Sequence, residues 1–198
     1  MKLVLASKSP RRSELLAQLG YQFDCIAADI DESVLTGESP GNYVERLSGE
    51  KAAAIAETFE KTQADNTLVL GSDTAVVVDD VILGKPKDIN DGQRMLAMLS
   101  GRSHQVITGI AVAHAGKITS ELVVTEVSFK SLSPQEIKRY WQTGEPQDKA
   151  GAYGIQGIGG QFVTGIRGSY SAVVGLPLYE TAQILLACGM PTQVQTDE

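Results

Sequence analysis

The stretch Leu3-Val4-Leu5-Ala6-Ser7-Lys8-Ser9-Pro10-Arg11-Arg12-Ser13-Glu14-Leu15-Leu16-Ala17-Gln18-Leu19 decides the fold class. It opens as a short apolar strand and passes into a segment with apolar residues at helical spacing. Ser9 suits the N-cap of that helix and Pro10 its first position, so Arg11 and Arg12 fall in the first turn. A strand that turns straight into a helix is the first half of an α/β unit. The first turn is a poor place for cations, because the helix dipole already makes that end positive. Lys8, Arg11, Arg12, the hydroxyls of Ser7 and Ser9 and the free N–H groups of the turn converge there. Such a spot suits an anion, phosphate foremost. The plain alternative is two solvated arginines, each bearing a penalty of about 0.3–1 kcal/mol.

The alternation of strand and helix continues outward from this stretch. A second strand is expected over 22–28, then an acidic, turn-rich loop containing Asp31 and Glu32. A helix is expected from Pro40 to Lys61, capped by Ser39. Residues 67–78 read as a strong strand, with Asp79-Asp80 turning into Val81-Ile82-Leu83. A short helix over 90–99 precedes two long strands, 103–113 and 118–130, joined at Ala115-Gly116-Lys117. Ser133 and Glu136 form a capping box for a helix running to Thr143. A glycine-rich stretch over 148–160, a strand near 162–166 and a helix over 178–187 complete the pattern. The pattern predicts an α/β protein with a long, bent, mixed sheet and helices packed on both sides of a cleft. One domain of two lobes is expected over 1–190, followed by a polar, frayed tail over 191–198.

The chain has 198 residues, 42% hydrophobic and 21% charged, enough for one substantial core or two small lobes around a cleft. Its net charge of −7 argues against broad nucleic-acid or membrane-surface binding, which needs a basic face. Cys25 and Cys188 read as buried thiols rather than a disulfide or metal pair, which fits a reducing cytosol. The sequence has no run of apolar residues long enough for a signal peptide or a membrane span, so a cytoplasmic location is expected.

Charges in apolar places point to the chemistry. On a helical wheel Lys51 falls within the arc of Tyr43, Val44, Leu47, Ala54 and Ile55, where an ammonium must meet an anion or snorkel outward. Asp73 interrupts the apolar run over 68–78, and a carboxylate there is costly without a cation or metal. Gly71 would let that strand bulge or let a ligand approach. Lys85 ends the short return strand. The glycine-rich stretch leaves its backbone open to a flat ligand, with the amide of Gln156 able to read a base edge. His104 and His114 lack partners at metal spacing and read as structural or exposed. Arg11, Arg12, Lys51, Lys85 and Lys149 with Asp73 and the Asp31-Glu32 loop are an inventory for a polyphosphate ester and a divalent metal. A Gly-x-x-x-x-Gly-Lys-Ser/Thr loop is absent, which excludes a P-loop enzyme.

Seven segments, in order, resemble the Maf family of nucleoside triphosphate pyrophosphatases: LASKSPRRSELL (5–16), YVERLSGEKA (43–52), LGSDTAVV (70–77), LGKP (83–86), LSGRSHQVITGIAV (99–112), DKAGAYGIQG (148–157) and GSYSAVVGLPL (168–178). The resemblance implies an elongated inosine triphosphate pyrophosphatase-like (Maf/Ham1) fold with a central cleft, often dimeric, so that a homodimer is open. It implies conversion of a nucleoside triphosphate and water to the monophosphate and pyrophosphate with Mg²⁺ or Mn²⁺. The DKAGAYGIQG segment is similar to that of a branch acting on dTTP and UTP, and on modified pyrimidine nucleotides. A sister branch acting on 7-methyl-GTP carries Glu at the position of Gln156. By the same resemblance Asp73 is the catalytic base; as a carboxylate it is equally a candidate metal ligand, alone or with Glu32. By the resemblance, too, Arg11, Thr74 and Gln156 bear on base choice; the inventory of charges itself assigns Arg11, Arg12, Lys51 and Lys85 to holding the triphosphate, with Ser7 a further substrate-binding residue. The rival readings are a purine-directed or 7-methyl-GTP enzyme and a non-catalytic nucleotide-binding regulator of septum formation.

Overall fold

A computed structural model describes residues 1–60 and 65–195. Strand β1 (Lys2–Leu5) is buried after its first residue and hands the chain to helix α1 (Pro10–Gln18). Strand β2 is only Asp24–Cys25, parallel to β1 with Leu5 opposite Cys25. The strand expected over 22–28 is thus a short edge. Both of its residues are exposed, and Cys25 is not the buried thiol expected, while Cys188 is half-buried.

Helix α2 (Pro40–Ala56) starts at the Ser39 cap, whose hydroxyl accepts the N–H of Asn42 at 3.3 Å. It ends short of the expected Lys61, which lies outside the described residues. Thr58 and Phe59 donate to the Ile55 and Ala56 carbonyls in a tightened last turn, and Phe59 packs onto the core. Strand β3 (Thr67–Val78) pairs parallel with β1, Leu3 opposite Leu68 and Leu5 opposite Leu70. Asp79 and Asp80, at φ 51° and 60°, form the mirror-type turn that two-residue hairpins favour, and β4 (Val81–Leu83) returns antiparallel along β3.

Helix α3 (Ile89–Leu99) leads to β5 (Ser103–His114) and β6 (Lys117–Phe129), whose two-residue connection makes them an antiparallel hairpin. Helix α4 (Pro134–Gln142) carries the capping box read from Ser133 and Glu136. Three short 3₁₀ turns then cross the glycine-rich stretch to β7 (Val163–Arg167), antiparallel to β6. Helices α5 (Tyr170–Val174) and α6 (Leu178–Ala187) follow. Among the described residues the sheet is mixed and seven-stranded, in the order β2-β1-β3-β5-β6-β7, with β4 beside β3.

The chain divides into two compact units. The first comprises Met1–Asp73, Thr108–Val123 and Gly175–Glu198, the second Thr74–Ile107 and Val124–Val174. Strands β3, β5 and β6 each run from one into the other. The first unit packs Val4, Ala52, Ile55, Val69 and Ala111 together; the second packs Val76, Leu96, Phe129, Tyr153 and Phe162. Near the end of the described chain two contacts are seen. Thr192 is buried, its N–H bonds the Gln195 side chain at 2.9 Å, and the Tyr21 hydroxyl donates to the Met190 carbonyl.

Glycines set how closely α2 approaches the sheet. A Cβ on Gly71 would collide with the Ser48 carbonyl and stand 2.8 Å from the Ala52 nitrogen. A Cβ on Gly109 would stand 2.9 Å from the Val44 carbonyl. Gly71 therefore serves helix–strand contact within a β3 that is strand throughout. Because these contacts are with backbone, neither partner can swing away. Gly71→Ala should lower stability by about 3 kcal/mol, read as a fall in Tm; an unchanged Tm would contradict the close approach.

Candidate active site

The approach of α2 explains its buried face, which is Val44, Leu47, Ser48, Lys51, Ala52 and Ile55. Tyr43 and Ala54, placed on that arc by the wheel, are half-buried at its margin. Lys51 does not snorkel. It is 7% exposed, and its ammonium donates to Asp73 Oδ1 at 2.7 Å and reaches Glu32 Oε1 at 2.6 Å. Asp73, 8% exposed, thus has the cation that its place in an apolar strand demanded. One ammonium holds two carboxylates from distant parts of the chain.

Two side chains whose tethering role had no signal in the sequence hold Glu32 in reach. The Tyr43 hydroxyl donates to the Glu32 carbonyl at 3.1 Å. Arg46 donates to the Ser33 carbonyl at 3.0 Å and clamps Glu38 through both carboxylate oxygens, at 2.6 and 2.8 Å. The Tyr43 phenol is pushed up to about 12, first by burial and then by the negative charge of Asp73 and Glu32. The separation of Glu38 and Arg46 in sequence matches no local pattern, so nothing in the sequence pairs them.

Ser9 stands at the N-cap of α1 but its side chain makes no capping bond. The Ser7 hydroxyl instead accepts the Ser9 N–H at 3.1 Å, forming a turn ahead of the helix. Arg11 and Arg12 occupy the first turn, with no acidic residue in it. Arg12 Nε donates to the Gly175 carbonyl at 2.9 Å, which also accepts the buried Ser72 hydroxyl at 3.0 Å. Burial lowers the pKa of the Arg12 guanidinium, an effect that Asp73 opposes and the charge of Arg11 reinforces. Ser7, Arg11, Arg12, Glu32, Lys51 and Asp73 all belong to the first unit.

The other expected site residues belong to the second unit. Thr74 is half-buried at the next position of β3, where strand alternation turns it to the opposite face from Asp73. Lys85 is exposed just beyond β4, and the Gly84 carbonyl beside it accepts the Gly151 N–H at 3.1 Å. Gln156 is exposed in a tight turn closed by the Gly157 N–H on the Gly154 carbonyl at 3.2 Å. Lys149, counted with the cations, is engaged by Asp148 at 2.7 Å and by the Glu145 carbonyl at 2.9 Å. His104 is a packing residue. It is buried, bonded to the Tyr153 hydroxyl at 2.8 Å, and pushed down to about 4 by burial.

Among the described residues no cluster of three or more His, Cys, Asp or Glu could enclose a metal by itself. Asp73 and Glu32 are carboxylates of the type that a hard divalent cation takes, and here both contact the Lys51 ammonium. Such a cation takes one or two carboxylates and completes its shell with water and substrate phosphates.

The family model described as Maf-like protein matches residues 2–188. A dTTP/UTP pyrophosphatase of Vibrio cholerae is 59% identical over 184 residues, covering 93% of this chain and 96% of that protein. A dTTP/UTP pyrophosphatase of Aliivibrio fischeri is 58% identical over the same length, with the same coverage. Among solved structures, the Ham1 protein of Staphylococcus aureus aligns with a TM-score of 0.43 at 15% identity, over 65% of this chain and 72% of that one.

Proposed function

The chain belongs to the Maf-like protein family, and we propose that it is a dTTP/UTP pyrophosphatase, converting each triphosphate and water to the monophosphate and pyrophosphate. The observation that carries this reading is the buried Lys51 ammonium holding Asp73 and Glu32. Two carboxylates held together in this way can take a proton and bind a divalent cation.

In the proposed reaction Asp73 accepts a proton from the water that attacks the α-phosphorus in line. The new oxygen–phosphorus bond forms as the bond to the α,β-bridging oxygen breaks, and pyrophosphate leaves. Arg11, Arg12 and Lys85 hold the triphosphate and offset the charge growing on the leaving group, with Lys51 adding positive charge beside Asp73. The tie from Arg12 to Gly175 supports a positioning and binding role for it, whereas Arg11 in this reading also bears on base choice. Ser7 shapes the turn on which both arginines stand. A Mg²⁺ or Mn²⁺ ion held by Asp73 and Glu32 would polarise the phosphate oxygens as a Lewis acid. The substrate is a free nucleotide, modified pyrimidine nucleotides included, and the setting proposed is the cytoplasm, with a homodimer as the assembly. No helix among the described residues is long and apolar enough to cross a membrane.

Gln156 reads the imide edge of uracil or thymine, with Thr74 contributing to base choice. An ionised carboxylate at position 156 cannot donate to the base carbonyls. Gln156→Glu should therefore lower kcat/KM for UTP and dTTP by roughly 100-fold, since a site left with an unpaired polar group discriminates strongly. A panel of pyrimidine and purine triphosphates, assayed separately for pyrophosphate and orthophosphate, tests both the reaction and this role. Orthophosphate as the product would sink the reaction, and an unchanged preference in the variant would sink the role.

A further inference from the structure

The glycine-rich stretch does not present bare backbone to a ligand. Its space is filled by the protein's own side chains, chiefly Glu145, which follows the left-handed Gly144 (φ 80°) beyond α4. Glu145 Oε1 accepts the Tyr140 hydroxyl at 2.7 Å and the Gly159 N–H at 2.9 Å, and Oε2 accepts the Ile158 N–H at 2.8 Å. The Tyr140 oxygen in turn accepts the Gly154 N–H at 3.1 Å. One carboxylate and one phenol thus hold the backbone on both sides of Gln156.

The glycines are what admit this clamp. A Cβ on Gly157 would stand 2.8 Å from Glu145 Oε1 and closer still to Oε2. A Cβ on Gly159 would stand 2.5 Å from the Tyr140 oxygen, and one on Gly154 would stand 2.8 Å from the Lys149 stem. Burial alone would push the Glu145 carboxyl up, but hydrogen bonds from Gly159, Tyr140 and Ile158 outweigh it and hold it below the usual value. Burial first, and then Glu145, push the Tyr140 phenol well above its ordinary value, so it remains a donor.

We propose that Glu145, acting with Tyr140, is a positioning residue for nucleotide specificity, holding the turn that presents Gln156 to the base. This rests on the reading of Gln156 as the base reader. Glu145 touches no substrate; it acts through the backbone of residues 154–159.

The test measures kcat and KM for UTP and GTP by pyrophosphate release in the full chain. Glu145→Gln places an amide donor where the carboxylate accepted only donors, so the turn must rearrange. The ratio of kcat/KM for UTP over GTP should fall about tenfold, chiefly through a higher KM for UTP, with kcat within about threefold of the parent. Tyr140→Phe frees the Gly154 N–H but leaves the carboxylate, and should lower the ratio by about threefold. It also serves if Glu145→Gln does not fold. Gln156→Ala, run alongside, separates the two readings. A ratio that falls in Gln156→Ala but holds in every folded clamp variant overturns the positioning proposal alone. A ratio unmoved by Gln156→Ala overturns the base-reading role, and the proposal resting on it falls as well. An equal loss of kcat for both nucleotides would mark the clamp as merely structural and would also overturn the proposal.

Discussion

Asp73→Asn should remove nearly all hydrolysis of dTTP and UTP, a loss of about 10²–10⁴-fold in kcat, while the protein stays folded and binds nucleotide. The change preserves the shape of the side chain but removes its charge and its capacity to take a proton. The fold should tolerate it because the Lys51 ammonium keeps Glu32 at 2.6 Å. Steady-state kinetics beside a direct binding titration make the check. Undiminished turnover would contradict both roles proposed for Asp73, base and metal ligand. Lost binding with unchanged turnover at saturation would place it among the binding groups.

Lys51→Met should have the second largest effect and should differ in kind. Its loss removes the ammonium that bonds the buried Asp73 carboxylate and reaches Glu32. Removing one partner of a buried pair costs about 3 kcal/mol at the lower end of its range, which suits a site where Arg12 still attracts Asp73. In a chain of this size that is a fall of roughly 6–12 °C in Tm. Activity should drop by about 100-fold or more, since charge aimed at the reacting centre is also lost. Thermal melts and kinetics on the same preparation separate the effects. A variant as stable and active as the parent would return Lys51 to the reading of a helix lysine with its head in water.

The two variants bear on what was legible in the sequence. The α/β class followed from the strand–loop–helix order of residues 3–19 and from repeated alternation after it. Periodicity and capping residues are local properties that survive in the folded chain. Lys51 and Asp73 were visible because each broke an apolar pattern, although which of them answered the other was not. That pairing depends on Gly71 and Gly109 letting α2 lie close on the sheet, a tertiary fact. Gly71 itself was read as a bulge or ligand approach, because a glycine in a strand does not say which neighbour needs the room. The strand over 22–28 was overestimated, since an apolar-polar pattern cannot tell an edge that peels away after two residues from a full partner. The tethering roles of Arg46, Gly175 and Glu145 had no signal in the sequence, and Tyr43 was read only as part of the inward arc of its helix. Each acts by holding another segment through hydrogen bonds, which local spacing does not reveal.

Hydrolysis of UTP in ¹⁸O-labelled water, with a divalent cation present and the products resolved by mass, is the most direct test of the central claim. Attack at the α-phosphorus places one ¹⁸O atom in UMP and none in pyrophosphate, with the two products in equal amounts. Label found in pyrophosphate, or orthophosphate as the initial product, would contradict a pyrophosphatase that directs water to the α-phosphorus.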